Sequence, residues 1–132
     1  MGRAGQAYDL AISEARAANF TGLISLRYVP ASRATLAFTY HAPHTCIVDL
    51  DAPNSSQTQK VYKRIWKAFN TAGIPCTLHW GKMNAMDAAQ VVRDYGQARV
   101  DSWKAVRRAL LPTVALRKTF ANEFLTKVGL AD

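Results

Sequence analysis

Strict alternation of apolar and polar side chains limits this chain's folds more than any other feature. In Leu23-Ile24-Ser25-Leu26-Arg27-Tyr28-Val29, Ile24, Leu26 and Tyr28 fall on one side and Ser25 and Arg27 on the other. Ala34 to Tyr40 repeats the scheme with Leu36, Phe38 and Tyr40, and Thr45 to Asp51 with Cys46, Val48 and Leu50. Cys76-Thr77-Leu78-His79-Trp80 does so again, with Thr77 and His79 on the polar side. A period of two is the signature of a strand with one buried face, so these stretches read as strands of one sheet. Pro30 closes the first, His41-Ala42-Pro43-His44 is a turn, and Gly81 ends the last.

Between and after them the period changes to that of a helix. Residues 7–19 place Tyr8, Ala11, Ile12, Ala15 and Ala18 on one stripe, and 57–72 place Val61, Ile65, Phe69 and Ala72 on another. Asn84, with Asp87 after it, opens a helix that runs to about Tyr95. Arg99 to Leu110 forms a further helix, with Val100, Trp103, Val106 and Leu110 inward. Phe120, Phe124, Leu125 and Val128 define a short last one. Helices on one face of an antiparallel sheet, then C-terminal helices, give an α+β fold with a ferredoxin-like outline. At 132 residues, 1–132 reads as a single domain with no internal repeat or linker.

The uncovered sheet face would then carry Ser25, Arg27, Asp49, Thr77 and His79, with Lys82 on the turn beyond. A lysine beside an imidazole at the mouth of a sheet can hold a substrate oxygen. The same pattern also describes a solvated strand histidine and an ordinary loop charge.

Composition narrows the classes. Hydrophobic residues make up 49% and charged residues 20%, which is globular. No apolar run approaches the roughly 20 residues of a membrane helix. The start, Met1-Gly2-Arg3-Ala4-Gly5-Gln6, lacks a signal-peptide core, so a cytoplasmic location is expected. Cys46 and Cys76 form no metal motif and read as buried free thiols, with a disulfide open only if their strands are neighbours in register; no HExxH or EF-hand loop suggests a metal. Seventeen Lys and Arg against nine acids give a net charge of +8. Such an excess suits nucleic acid, an anionic surface or an acidic protein. The cations Lys60, Lys63, Arg64 and Lys67 on helix 57–72 offer a nucleic-acid face, although a solvated charged face is the commoner outcome.

His79-Trp80-Gly81-Lys82 resembles a signature near the C-terminus of the sugar-lactone and alditol oxidases, flavoproteins of the vanillyl-alcohol oxidase superfamily. Tyr95-Gly96, Trp103, Val106-Arg107, Pro112, Phe120, Asn122, Phe124-Leu125 and Gly129-Leu130 are similar to that family's closing segment, in the same order. Ser25-Leu26-Arg27-Tyr28 and Leu36 to Tyr40 look like its cap-domain strand and the segment after it.

The resemblance implies the substrate-covering cap of an FAD-dependent oxidoreductase acting on CH–OH groups of a sugar lactone, polyol or related alcohol. It implies that FAD is held by a domain or subunit outside these residues. His79 and Lys82 would be the catalytic pair, with His79 orienting the reacting carbon or accepting the hydroxyl proton. Arg27 and Ser25 would bind substrate. Ser25 stands where the alditol oxidases have an acidic residue, and Leu111 where aspartate is common. The competing expectation is a free-standing basic α+β binding module for nucleic acid or an acidic protein partner.

Overall fold

Ala7, Ala11 and Ala15 recur every fourth residue, and that spacing forms the inner stripe of α1 (Arg3–Ala17). Their small side chains let the helix lie close to α2 (Ser56–Thr71), whose Val61, Ile65 and Phe69 keep the same spacing. The Ser55 hydroxyl accepts from Thr58 N at 3.1 Å and starts α2. Gly73, at φ +61°, ends it. Gly73 N donates to Asn70 O at 3.2 Å and Ile74 N to Phe69 O at 3.0 Å, with Ile74 and Phe69 both buried. This is the left-handed stop that a glycine permits.

The computed structural model describes residues 3–131, and it is α+β with an antiparallel sheet. That sheet has two strands, β1 (Leu23–Pro30) and β2 (His44–Asp51), in register from Leu23 opposite Asp51 to Pro30 opposite His44. Ile24, Val48 and Leu50 pack against the α1–α2 core, so the helices cover one face as the alternation requires. The burial thins along the strand: Leu26 is 37% exposed and Tyr28 60%. These elements make one compact unit, formed by the chain up to Ala31 together with His41–Cys76. Cys46 and Cys76 both belong to it and are half-buried.

Ser32–Tyr40 and the chain from Thr77 onward make a second unit with its own core. That core is Leu36, Met86, Val91, Tyr95, Val100, Val128 and Leu130. Its helices are α3 (Ala88–Tyr95), α4 (Gln97–Leu110), α5 (Val114–Thr119) and α6 (Glu123–Lys127). Asp87, not Asn84, caps α3, accepting from Gln90 N at 2.8 Å. Gly129, at φ +72°, repeats the stop seen after α2: its N–H donates to Thr126 O and that of Leu130 to Leu125 O. The Tyr95 ring stacks on Trp80 at 5.5 Å and lies 5.5 Å from Tyr40, while Phe124 meets Trp80 edge-on at 6.2 Å.

Two of the expected strands do not form. Residues 34–40 and 76–80 are irregular. The parity of their side chains is nonetheless right, because Leu36, Leu78 and Trp80 face the core while His79 is exposed. The two stretches meet through side chains. Trp80 Nε1 donates to Leu36 O at 2.7 Å, and Thr77 Oγ1 donates to Phe38 O at 2.6 Å. Carbonyls that a ladder would use are thus taken by an indole and a hydroxyl, and Ser32 N turns back to Thr39 O at 2.8 Å. Leu78 and Trp80 therefore join the second core and do not lie beneath α1 and α2. Val106 and Leu110, expected inward, are 56% and 75% exposed. The α4 turn instead buries the guanidinium-bearing Arg107.

Candidate functional site

Ser25 and Arg27 lie on the β1 face away from the helices, and Ser25 is directly opposite Asp49. Arg27 reaches diagonally to Asp49 with both ends of its fork, Nε to Oδ2 at 2.9 Å and Nη2 to Oδ1 at 3.1 Å. The guanidinium is thus already paired with a carboxylate of its own unit. A ligand anion would have to compete with Asp49 for it. Arg27 is exposed and Asp49 half-buried, so solvent screens the pair and it contributes about 1 kcal/mol or less to stability.

His79 and Lys82 belong to the second unit, on one turn. Lys82 N donates to His79 O at 3.2 Å, and Asn84 Nδ2 donates to Lys82 O at 3.0 Å. Asn84 Oδ1 accepts from Met86 N at 3.3 Å, which ties the turn to a fully buried residue. The imidazole is held twice. Its ring lies 4.5 Å from that of Phe38, tilted by 51°, and its Nδ1 accepts the Gly81 N–H at 3.0 Å.

That second contact fixes the chemistry. A neutral imidazole with Nδ1 as acceptor carries its proton on Nε2. Nε2 has no partner among the described residues, and His79 is exposed. In this turn His79 is therefore a hydrogen-bond donor, as is the Lys82 ammonium. The arrangement can hold an alcohol or carbonyl oxygen and suits the orienting role. It does not suit acceptance of a hydroxyl proton, because the basic lone pair is spent on Gly81. Phe38, which seats the ring, escaped the sequence reading. Alternation had placed it with Leu36 and Tyr40, whereas it is half-buried beside His79.

Behind the turn sits Tyr95, 4% exposed. Burial pushes its hydroxyl pKa far above the usual tyrosine value; the neighbouring Asp94 adds to the rise, and the nearby Trp80 N–H, itself bonded to Leu36 O, offsets part of it. Its oxygen finds no hydrogen-bond partner among the described residues. Tyr40, on the other side, donates to Asp94 O at 2.6 Å and carries the Arg99 guanidinium 4.5 Å above its ring.

FAD does not fit the described residues. The glycines with positive φ, Gly73, Gly96 and Gly129, stand singly at helix ends. They build no loop of successive N–H groups to cradle a diphosphate. No group of His, Cys, Asp or Glu among the described residues can hold a metal ion. No helix there is long and apolar enough to cross a membrane.

Comparison with protein-family models, with curated proteins and with solved structures returned no match.

Proposed function

We propose that this chain is the substrate-covering portion of an FAD-dependent oxidoreductase acting on CH–OH groups, with the flavin carried by a partner domain or subunit. The observation that carries the reading is the His79–Lys82 turn. Two residues of the oxidase signature, His79 and Lys82, sit exposed on one turn, with the imidazole seated against Phe38 and the Gly81 N–H. Two donors carried on one turn suit the oxygen of a sugar lactone, a polyol or a related alcohol. Charged hydrogen bonds of this kind discriminate strongly between oxygen-bearing ligands and their deoxy analogues. Arg27 and Ser25 belong to the first unit, where Asp49 already holds the guanidinium, so the reading rests on the His79–Lys82 turn alone.

The test is reconstitution with the flavin-bearing partner. Lys82→Met in the complete enzyme keeps the bulk and removes the charge. Turnover is expected to fall about 10- to 100-fold, the worth of one charged hydrogen bond. The melting temperature should hold, because Lys82 is exposed. Unchanged turnover of Lys82→Met on every alcohol and lactone accepted by the enzyme would refute the assignment.

A further inference from the structure

Helices α4 and α5 present a surface that their own unit leaves uncovered. Val106 and Leu110, one turn apart on α4, are 56% and 75% exposed; Val114 on α5 is 59% exposed, and Phe120 just after it 61%. Single exposed apolar residues are ordinary, whereas exposed apolar residues that adjoin one another are the usual mark of an interaction surface. Between Ser102 and Asn122 the chain has Lys104, Arg107, Arg108, Arg117 and Lys118 and no acidic residue.

The surface also has a fixed shape. Arg107 is 7% exposed and donates through Nη2 to Arg117 O at 2.9 Å and Phe120 O at 3.1 Å. Arg117 returns from α5 to Leu111 O at 2.8 Å and Pro112 O at 3.0 Å. Two guanidinium groups thus clasp the α4–α5 connection from both ends. Arg107 Nη1 is buried with no acceptor among the described residues. Burying a guanidinium nitrogen without an acceptor is costly, and the two carbonyl contacts of Nη2 offset part of that cost.

From these observations we infer that the α4–α5 face docks on an acidic-rimmed, apolar-centred protein surface, that of the flavin-bearing partner. The inference rests on the proposed function for the partner's identity, and on the exposed residues and their charge for the surface. Like charge argues against a second copy of this chain, since this face would meet itself. A lipid surface would use the same cations and apolar side chains, but it gains nothing from a fixed shape. The double arginine clasp preorganises a shape, which benefits a protein–protein contact by reducing the ordering cost of binding.

The experiment places a photoreactive benzoylphenylalanine at Leu110, at Phe120 or, as a control, at the exposed Lys63 of α2, in the full chain within the cells that make it. Adducts are identified by mass spectrometry and assayed for flavin. Expected are adducts from Leu110 and Phe120, absent from Lys63, that contain one flavoprotein with acidic residues around the linked site. Purified with that flavoprotein, the variant combining Leu110→Glu and Phe120→Glu should bind at least about tenfold more weakly, as loss of central apolar anchors does. Both positions are exposed, so the variant should keep the parent circular dichroism. A flavoprotein linked only from Lys63 would leave the proposed function standing and overturn this face. An acidic protein without flavin, linked only from Leu110 and Phe120, would uphold the face and overturn the partner's identity. Adducts to lipid alone, matched by binding to vesicles of 7:3 phosphatidylcholine and phosphatidylserine, would overturn the protein contact.

Discussion

Replacing Tyr95 by Phe should stabilise the second unit. The ring is packed between Trp80 and Tyr40, and Phe keeps every one of those ring contacts. What the change removes is a hydroxyl that is 4% exposed at residue level and unpartnered, since the Trp80 N–H is spent on Leu36 O. Leaving a buried polar group unsatisfied costs about 1–3 kcal/mol. A small void where the oxygen stood returns part of that, so the net gain should be about 1 kcal/mol. In a unit this small, 1 kcal/mol moves the melting temperature by about 4–8 °C.

The same residue gives a signature in alkali. Its folded pKa is raised, so the neutral form is the one the fold accepts. Its contribution is whole below the unfolded pKa of about 10 and is lost as pH climbs above it, at up to about 1.4 kcal/mol per pH unit. Tyr95→Phe has nothing to ionise there, so the gap between variant and parent should widen from pH 10 upward. Urea unfolding of both proteins from pH 7 to 11, followed by near-ultraviolet circular dichroism, measures it. A loss of 1 kcal/mol at pH 7, or parallel curves in alkali, would show that the hydroxyl has a partner and would refute the reasoning.

Arg27→Gln and Asp49→Asn should each change stability by less than about 1 kcal/mol, with a non-zero coupling in the double-mutant cycle only at low salt. Gly129→Ala should destabilise by more than Gly73→Ala in thermal melts. Both have positive φ, but a Cβ at Gly129 would come within 2.9 Å of Ala88 Cβ, whereas at Gly73 it meets open space. Purified alone, the chain should be colourless and should not oxidise alcohols; stoichiometric flavin in its absorbance spectrum would count against the proposed division of labour. A fragment of residues 77–131 should stay unfolded by circular dichroism, because Leu36 and the carbonyls that seat Trp80 and Thr77 lie outside it. A fragment ending at Cys76 should fold.

Sequence patterning gave the faces correctly and the pairing only in part. Ile24 and Leu50 proved to be cross-strand partners over the α1–α2 core, and the alternation through Leu36, Leu78 and Trp80 placed the right side chains inside. Hydropathy does not register which donor a carbonyl meets. Nothing in it distinguishes a strand neighbour at Leu36 O from the Trp80 indole, and so two strands were expected that are irregular segments. The period through Val100, Trp103, Val106 and Leu110 failed for a related reason. An apolar side chain reads as inward whether or not its own unit supplies the cover, and Val106 and Leu110 are left uncovered. That His79 is exposed and shares a turn with Lys82 was legible from spacing. The tautomer was not, because it depends on one backbone N–H that no side-chain pattern encodes.

Ser32–Tyr40 links β1 to β2 yet belongs to the second unit. During synthesis this orders events in time. Everything the first unit needs has left the ribosome once Cys76 emerges, so β1, β2 and both helices can close while Ser32–Tyr40 stays tethered at its two ends as a loop. That loop then waits for its partners. Leu36 has no core to enter until Met86, Val91 and Val100 follow, and Val128 and Leu130 complete it last. Tethering shortens the free chain that must be searched, which lowers the closure entropy of the later contacts. The first unit thus serves as a jig for the second, and a lesion that unpairs β1 from β2 should slow the folding of a core that contains neither strand.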